Sequence, residues 1–360
     1  MKILIDGAKI VTFREDKPII NEGYVFINKG IVVAVGEGPP PPEYEFAEYV
    51  IDGRGRVVMP GFVLGIPDLL QLPFRYISRC SRNPRECIES VSKDELRALI
   101  EVSLTILSFG GATSIVALAN TDYVDVVAKA VSKCWVRTRL LFKNRDELYE
   151  GVRTATKSIV DQDAIPKGIL SFGVLSKGTV DVSQDELRSL NAFAYVDSCN
   201  DDVARKLQDR LTCINTSSEL CTRKVVVDAI ELWRGEEGIA FTNPRLSHPR
   251  SYIQMLRFNG LSPKEITRVL SSANPWSLNI GVPRIVEGAT ADIIILNFRE
   301  PPHGPTIFDD EGLYELICDN MYSVETVIVA GDLVVDRFEP LMIGRKEFET
   351  VKRVRSELIR

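Results

Sequence analysis

Residues 53–70 read GRGRVVMPGFVLGIPDLL, and two sequence grammars meet inside them. As far as Met59, apolar and polar side chains alternate, the period-2 pattern of a strand with one buried face. After Gly61 the chain turns to apolar runs separated by helical patterns, as expected for strands covered on both faces. The first of these runs ends on Ile66 and Asp68. Two residues apart on a strand, their side chains share a face.

Upstream, KILIDGAKIVT, GYVFINKGIVVAVG and EYVIDGRGRVVM are strands joined by Asp-Gly and Lys-Gly turns, with Pro39–Pro42 as an exposed connection. Downstream, eight strands are predicted near 60–66, 112–118, 136–142, 168–175, 192–197, 211–215, 224–228 and 238–242, alternating with helices. Ser92 with Glu95, Ser183 with Glu186, and Ser262 with Glu265 fit capping boxes that start three of those helices. Eight strands in this order predict a (β/α)₈ TIM-like barrel. The chain then returns to strands, ADIIILN at 291–297 and a hairpin in ETVIVAGDLVVD at 325–336. β-rich segments at both ends make residues 1–59 and 284–360 one composite β-sandwich domain around a barrel of 60–283. Phe348, Val351, Val354 and Leu358 recur at helical spacing, so the tail from Arg345 to Arg360 is predicted to be a docked helix.

A chain of 360 residues, 45% hydrophobic, buries a core of that size. A net charge of −6 with both signs interspersed offers no basic stripe for phosphates, so nucleic acid is not an expected partner. The start, MKILIDGAKIVTF, is broken by Asp6 and Lys9 before a signal core forms, and no stretch reaches membrane-helix length, so the expectation is a cytoplasmic protein without a membrane partner. Seven cysteines without C-x-x-C spacing read as buried thiols rather than a disulfide framework. Only His248 and His303 supply imidazole, which excludes a site built on three or four of them. No G-x-S-x-G, phosphate loop or dinucleotide fingerprint is present.

Four stretches, taken in order, resemble one family. They are ILIDGAKIVT with GYVFINKGIVVAVG, then VIDGRGRVVMPGFV, then LSPKEITRVLSSANPWSLNIGVPRIVEGATADIIILN, and VETVIVAGDLVVD. Together they resemble the amidohydrolase superfamily, above all its cytosine-deaminase and chlorohydrolase-like branch. The resemblance implies catalysis at the C-terminal ends of the barrel strands. It places the family's metal-binding His-x-His pair on Ile66 and Asp68, and a substrate-contacting histidine on Lys177 in GVLSKGTVDVSQDEL. The His-x-x-Glu pair falls on Asp197 and Asn200, a strand-6 histidine near Asn215, and the proton-accepting aspartate on Asn243.

Isoleucine cannot coordinate an ion and a carboxamide is no base near neutral pH, so the inherited mechanism is not expected. No metal cofactor is therefore predicted. Asp68, Lys177, Asp197, Asn200, Asn215 and Asn243 form a polar set at the barrel mouth around Ile66, fit for a small polar ligand or for capping strand ends. His248, in NPRLSHPR, is a loop histidine on the same side. The arginine-rich RYISRCSRNPRE at 75–86 covers the mouth and reads as a solvated loop or a receiver of acidic groups. The leading expectation is a metal-free binding or structural protein, self-associating or paired with a catalytic relative. The alternative is a hydrolase of C–N bonds in a small cyclic or nucleobase-like compound, working without a metal or with an atypical one.

Overall fold

The computed structural model describes residues 1–159, 168–216, 218–228, 230–304 and 307–359. Five strands open the chain: β1 (Lys2–Val11), β2 (Ile19–Asn28), β3 (Ile31–Glu37), β4 (Tyr49–Asp52) and β5 (Arg56–Pro60). Eight follow, with helices in every interval except that between β11 and β12: β6 (Phe62–Asp68), β7 (Ala112–Leu118), β8 (Arg137–Phe142), β9 (Leu170–Lys177), β10 (Ala192–Asp197), β11 (Leu211–Ile214), β12 (Lys224–Val227) and β13 (Gly238–Ala240), as far as the described residues go. Four close it: β14 (Ile293–Asn297), β15 (Ser323–Val329), β16 (Asp332–Asp336) and β17 (Glu339–Pro340).

Strands β6 to β13 pair in parallel, each with its sequence neighbour. The ring is joined where the Ile66 N–H donates to the Phe241 carbonyl (2.7 Å) and the Phe241 N–H donates to the Gly65 carbonyl (2.6 Å). This is the expected (β/α)₈ barrel. Asn274 reinforces that seam, donating to the Val63 carbonyl (2.9 Å) and accepting from the Ile239 N–H (2.8 Å).

Alternation along each strand separates two cores. On β10, Ala194 and Val196 face the helices, whereas Phe193 and Tyr195 face inward. The inside of the barrel is filled by Val63, Ile66, Val116, Leu141, Tyr195 and Ile214 with their neighbours, a packed layer rather than a channel. All three expected capping boxes form, at Ser92, Ser183 and Ser262. Gly61 sits where a Cβ would come 2.1 Å from the Thr113 side chain, so only glycine lets β6 enter beside β7.

The first and last strands make one nine-stranded sheet in the order β17-β16-β15-β14-β5-β1-β2-β3, with β4 on β1. β14 runs antiparallel to β5 (Ile294 opposite Met59), which joins the two ends of the chain. The tail helix, Arg345–Ile359, buries Val354 and Leu358, with Phe348 and Val351 partly covered; residue 360 of that expectation lies outside the described residues. Among the described residues, no helix is long and apolar enough to cross a membrane.

The cysteine expectation needs correction. All seven are buried, but Cys80 is bonded to Cys87 and Cys213 to Cys221, leaving Cys134, Cys199 and Cys318 free. Spacings of seven and eight residues pair across turns that only the fold creates.

Candidate functional site

Asp68 ends β6 with its carboxylate turned back on the following loop, accepting from the Leu70 N–H (2.9 Å) and the Gln71 side-chain amide (3.2 Å). Burial pushes this carboxyl above the ordinary aspartate range, against the lowering effect of those two donors and the charge of Lys143. Ile66 is only 1% exposed and belongs to the barrel interior. Lys177 and Asp197 end adjacent strands in register, so a cation and a carboxylate stand side by side at the rim.

The three asparagines each accept from a backbone N–H. Asn200 caps the helix Asp201–Leu207 by accepting from the Val203 N–H (3.0 Å). Asn215, at φ +46°, accepts from the Val227 N–H (2.9 Å), and Asn243 accepts from the Arg245 N–H (3.0 Å). Small amides that favour capping and left-handed backbone explain these positions.

A cavity of about 260 Å³ opens between the loops that follow β6 and β13. Gln71, Arg75, Ser81, Asn243 and Arg245 give it its polar wall, with Phe74, Cys80, Pro84 and Pro244 as the rest. Asn243 is thus the one member of the predicted set that lines it, while Asp68 reaches it through Gln71. Arg245 donates to the Arg75 carbonyl (3.0 Å) and the Ser81 hydroxyl (3.2 Å). Arg75 Nε is buried with no hydrogen-bond partner among the described residues. Two guanidiniums and the Gln71 amide make the cavity a donor-rich niche for carbonyl, ring-nitrogen or anionic groups. The arginine-rich loop signalled Arg75 in advance; Arg245 carried no signal, because its approach depends on how β13 meets β6.

The Cys80–Cys87 bond ties two short helices, Ser78–Arg82 and Pro84–Glu89, into one wall of this cavity. Replacing both by serine is expected to cost about 2–3 kcal/mol, the chain entropy released by a loop this short. The denaturant midpoint under oxidising conditions reads it; an unchanged midpoint would mean that the wall is held by packing alone.

His248 caps the helix Pro249–Phe258, its Nδ1 accepting from the Arg250 N–H (3.3 Å). Burial, with the nearby charges of Arg75 and Arg250, lowers it from 6.5 to about 4, so it sits neutral. A depressed histidine stabilises the fold above its unfolded value and loses that contribution as pH falls through the folded one. Stability is expected to drop by roughly 3 kcal/mol between pH 6.5 and 4 on this account. His248→Asn, which retains the cap, should flatten that limb of a stability-against-pH curve; an identical limb would assign it to other groups.

No family model matches the chain. A 63-residue segment is 40% identical to a 5-methylthioadenosine/S-adenosylhomocysteine deaminase of Halalkalibacterium halodurans, covering 18% of this chain and 14% of that enzyme. Over its whole length the chain superposes on a triazine hydrolase variant with a TM-score of 0.70 at 16% identity, covering 100% of this chain and 99% of the other. The chain shares its fold with triazine hydrolase. An adenosine deaminase from Xanthomonas campestris with bound zinc also has it, at a TM-score of 0.67 and 14% identity, covering 99% of this chain and 98% of that one. The expectation that this chain has no metal cofactor is corrected on that finding, since a protein of the same architecture holds zinc.

The side chains at the strand tips nevertheless offer no imidazole cage for such an ion. Ile66 is packed in the interior, and Asn200, Asn215 and Asn243 spend their amide oxygens on backbone N–H groups. Among the described residues, the one set of three His, Cys, Asp or Glu ligand atoms lying mutually within 4.8 Å is Cys199, Cys213 and Cys221. It lies in the layer between strands and helices, not inside the barrel.

Proposed function

We propose that the chain is a hydrolase of the amidohydrolase superfamily that breaks a C–N bond in a small cyclic or nucleobase-like compound, with carboxylate in place of imidazole chemistry. The observation that carries this reading is the full-length likeness to a triazine hydrolase, with the segment similar to a nucleoside-type deaminase in support. The cavity beside the β6 and β13 tips suits such a compound: ring nitrogens and carbonyls accept from Arg75, Arg245 and Gln71, and Phe74 supplies an apolar wall.

In this reading, Asp68 is the acid–base group. Its raised carboxyl sits closer to neutral pH than an exposed aspartate, as general acid–base work requires. The carboxylate takes a proton from the attacking water as the new C–O bond forms. It returns that proton to the departing nitrogen as the C–N bond breaks. Gln71, which lines the cavity, donates to that carboxylate (3.2 Å) and links it to the bound compound.

The test is a turnover screen over triazines, nucleobases, adenosine-type nucleosides and cyclic amides, run on chelator-free protein with zinc, manganese or magnesium added in turn. Ammonia or amine release from one class supports the reading. Folded protein that releases neither from any class under all these conditions refutes it.

A further inference from the structure

We infer that Cys199, Cys213 and Cys221 form a three-sulfur site for a thiophilic divalent cation, zinc or cadmium, which opens when the Cys213–Cys221 bond is reduced. Nothing in this inference depends on the hydrolase reading.

The fold brings the three together from separate places. Cys199 lies just beyond β10, Cys213 on β11, and Cys221 on the return toward β12. Val196 pairs with Cys213 in the ladder, the Ser198 N–H donates to the Ile214 carbonyl (3.0 Å), and the Thr216 hydroxyl donates to the Cys199 carbonyl (2.9 Å). The two loops are therefore fixed against each other before any ion arrives. All three sulfurs are buried.

The spacing is that of a coordination shell. A Zn–S bond of about 2.3 Å at a tetrahedral angle gives a sulfur–sulfur edge of about 3.8 Å. Cys199 Sγ stands 3.8 Å from Cys221 Sγ. Cys213 and Cys221, with Cα atoms 6.2 Å apart, need only swing their sulfurs apart to complete a triangular face. Asp201 adds negative charge beside Cys199, which favours a cation there. Sulfur donors select zinc or cadmium over magnesium or calcium, so this site is distinct in chemistry from anything the oxygen-rich rim would hold.

Bond and ion compete for the same two sulfurs. A phosphine reductant takes oxygen from water to become its oxide, and Cys213 and Cys221 are released as thiols. Ion binding then displaces the three thiol protons, the thiolates donating their lone pairs to the metal.

The experiment titrates cadmium into the full-length protein before and after phosphine reduction, following the ultraviolet thiolate-to-cadmium band and counting ions by equilibrium dialysis. The reduced protein is expected to take one ion per chain with the intensity of three thiolates, and the oxidised protein to show no band. Cys199→Ser should weaken binding by more than about tenfold, the lower end of losses for merely supporting residues. Cys318→Ser, at a buried thiol outside the triad, should bind as the parent does. Far-ultraviolet circular dichroism confirms that each variant is folded. A folded, reduced protein without the band overturns the inference, as does a band that survives Cys199→Ser at full strength.

Discussion

Arg137→Ala is expected to lower stability by about 3–5 kcal/mol, the usual loss when one partner of a buried ion pair is removed. Arg137 opens β8 of the barrel and Asp292 stands just ahead of β14 in the nine-stranded sheet. The guanidinium donates twice, Nε to Oδ2 at 2.7 Å and Nη2 to Oδ1 at 2.9 Å, and a third nitrogen reaches the Gly168 carbonyl. Asp292 Oδ1 also accepts from the Ala330 N–H at 2.7 Å, beside the β15–β16 hairpin. One side chain thus pins the barrel to strands drawn from the end of the chain. The carboxylate is only 1% exposed, so truncation of Arg137 leaves a buried charge without its partner. Lysine will not rescue it, because a point charge cannot reproduce the fork. The paired replacement R137M with D292L should recover part of the loss, the Ala330 N–H being left without its acceptor. Urea midpoints of the four proteins decide the matter; a single-variant cost under about 1 kcal/mol would place the pair among weak surface bridges.

Asp68→Asn is expected to cut kcat/KM by roughly 10²–10⁴ on whichever compound the screen turns over, the range for loss of a positioned acid–base group. Stability should barely change, since the amide oxygen can still accept from the Leu70 N–H. The pH profile adds an independent check. A base works in its deprotonated form, so activity should fall as pH drops through the Asp68 value, at a pH above the ordinary aspartate range because burial raises it. A variant within about threefold of the parent, or an acid limb unmoved by the substitution, would remove Asp68 from the chemistry.

How far the sequence could be read is clear at particular residues. Each barrel strand announced itself as a short apolar run, and Ser92, Ser183 and Ser262 announced helix starts through a glutamate three residues on, because those signals are local. Ile66 was legible as a non-ligand for the same reason: its chemistry does not depend on its surroundings. The asparagines were not legible. An amide oxygen serves a ligand or a backbone N–H equally well, and only the folded backbone around Asn200, Asn215 and Asn243 decides. The disulfides and the cavity wall were hidden too, since Cys213 meets Cys221, and Arg245 meets Arg75, only once loops from different strands converge.

The pairing of β5 with β14 also governs the life of the nascent chain. Met59 emerges from the ribosome long before Ile294 is translated, so the opening strands have an unfilled edge for most of synthesis. Such an edge invites strand addition by other chains until its own partner arrives. Lys9 and Arg56, on the strands that wait, place charge along that segment, a common guard against mispairing.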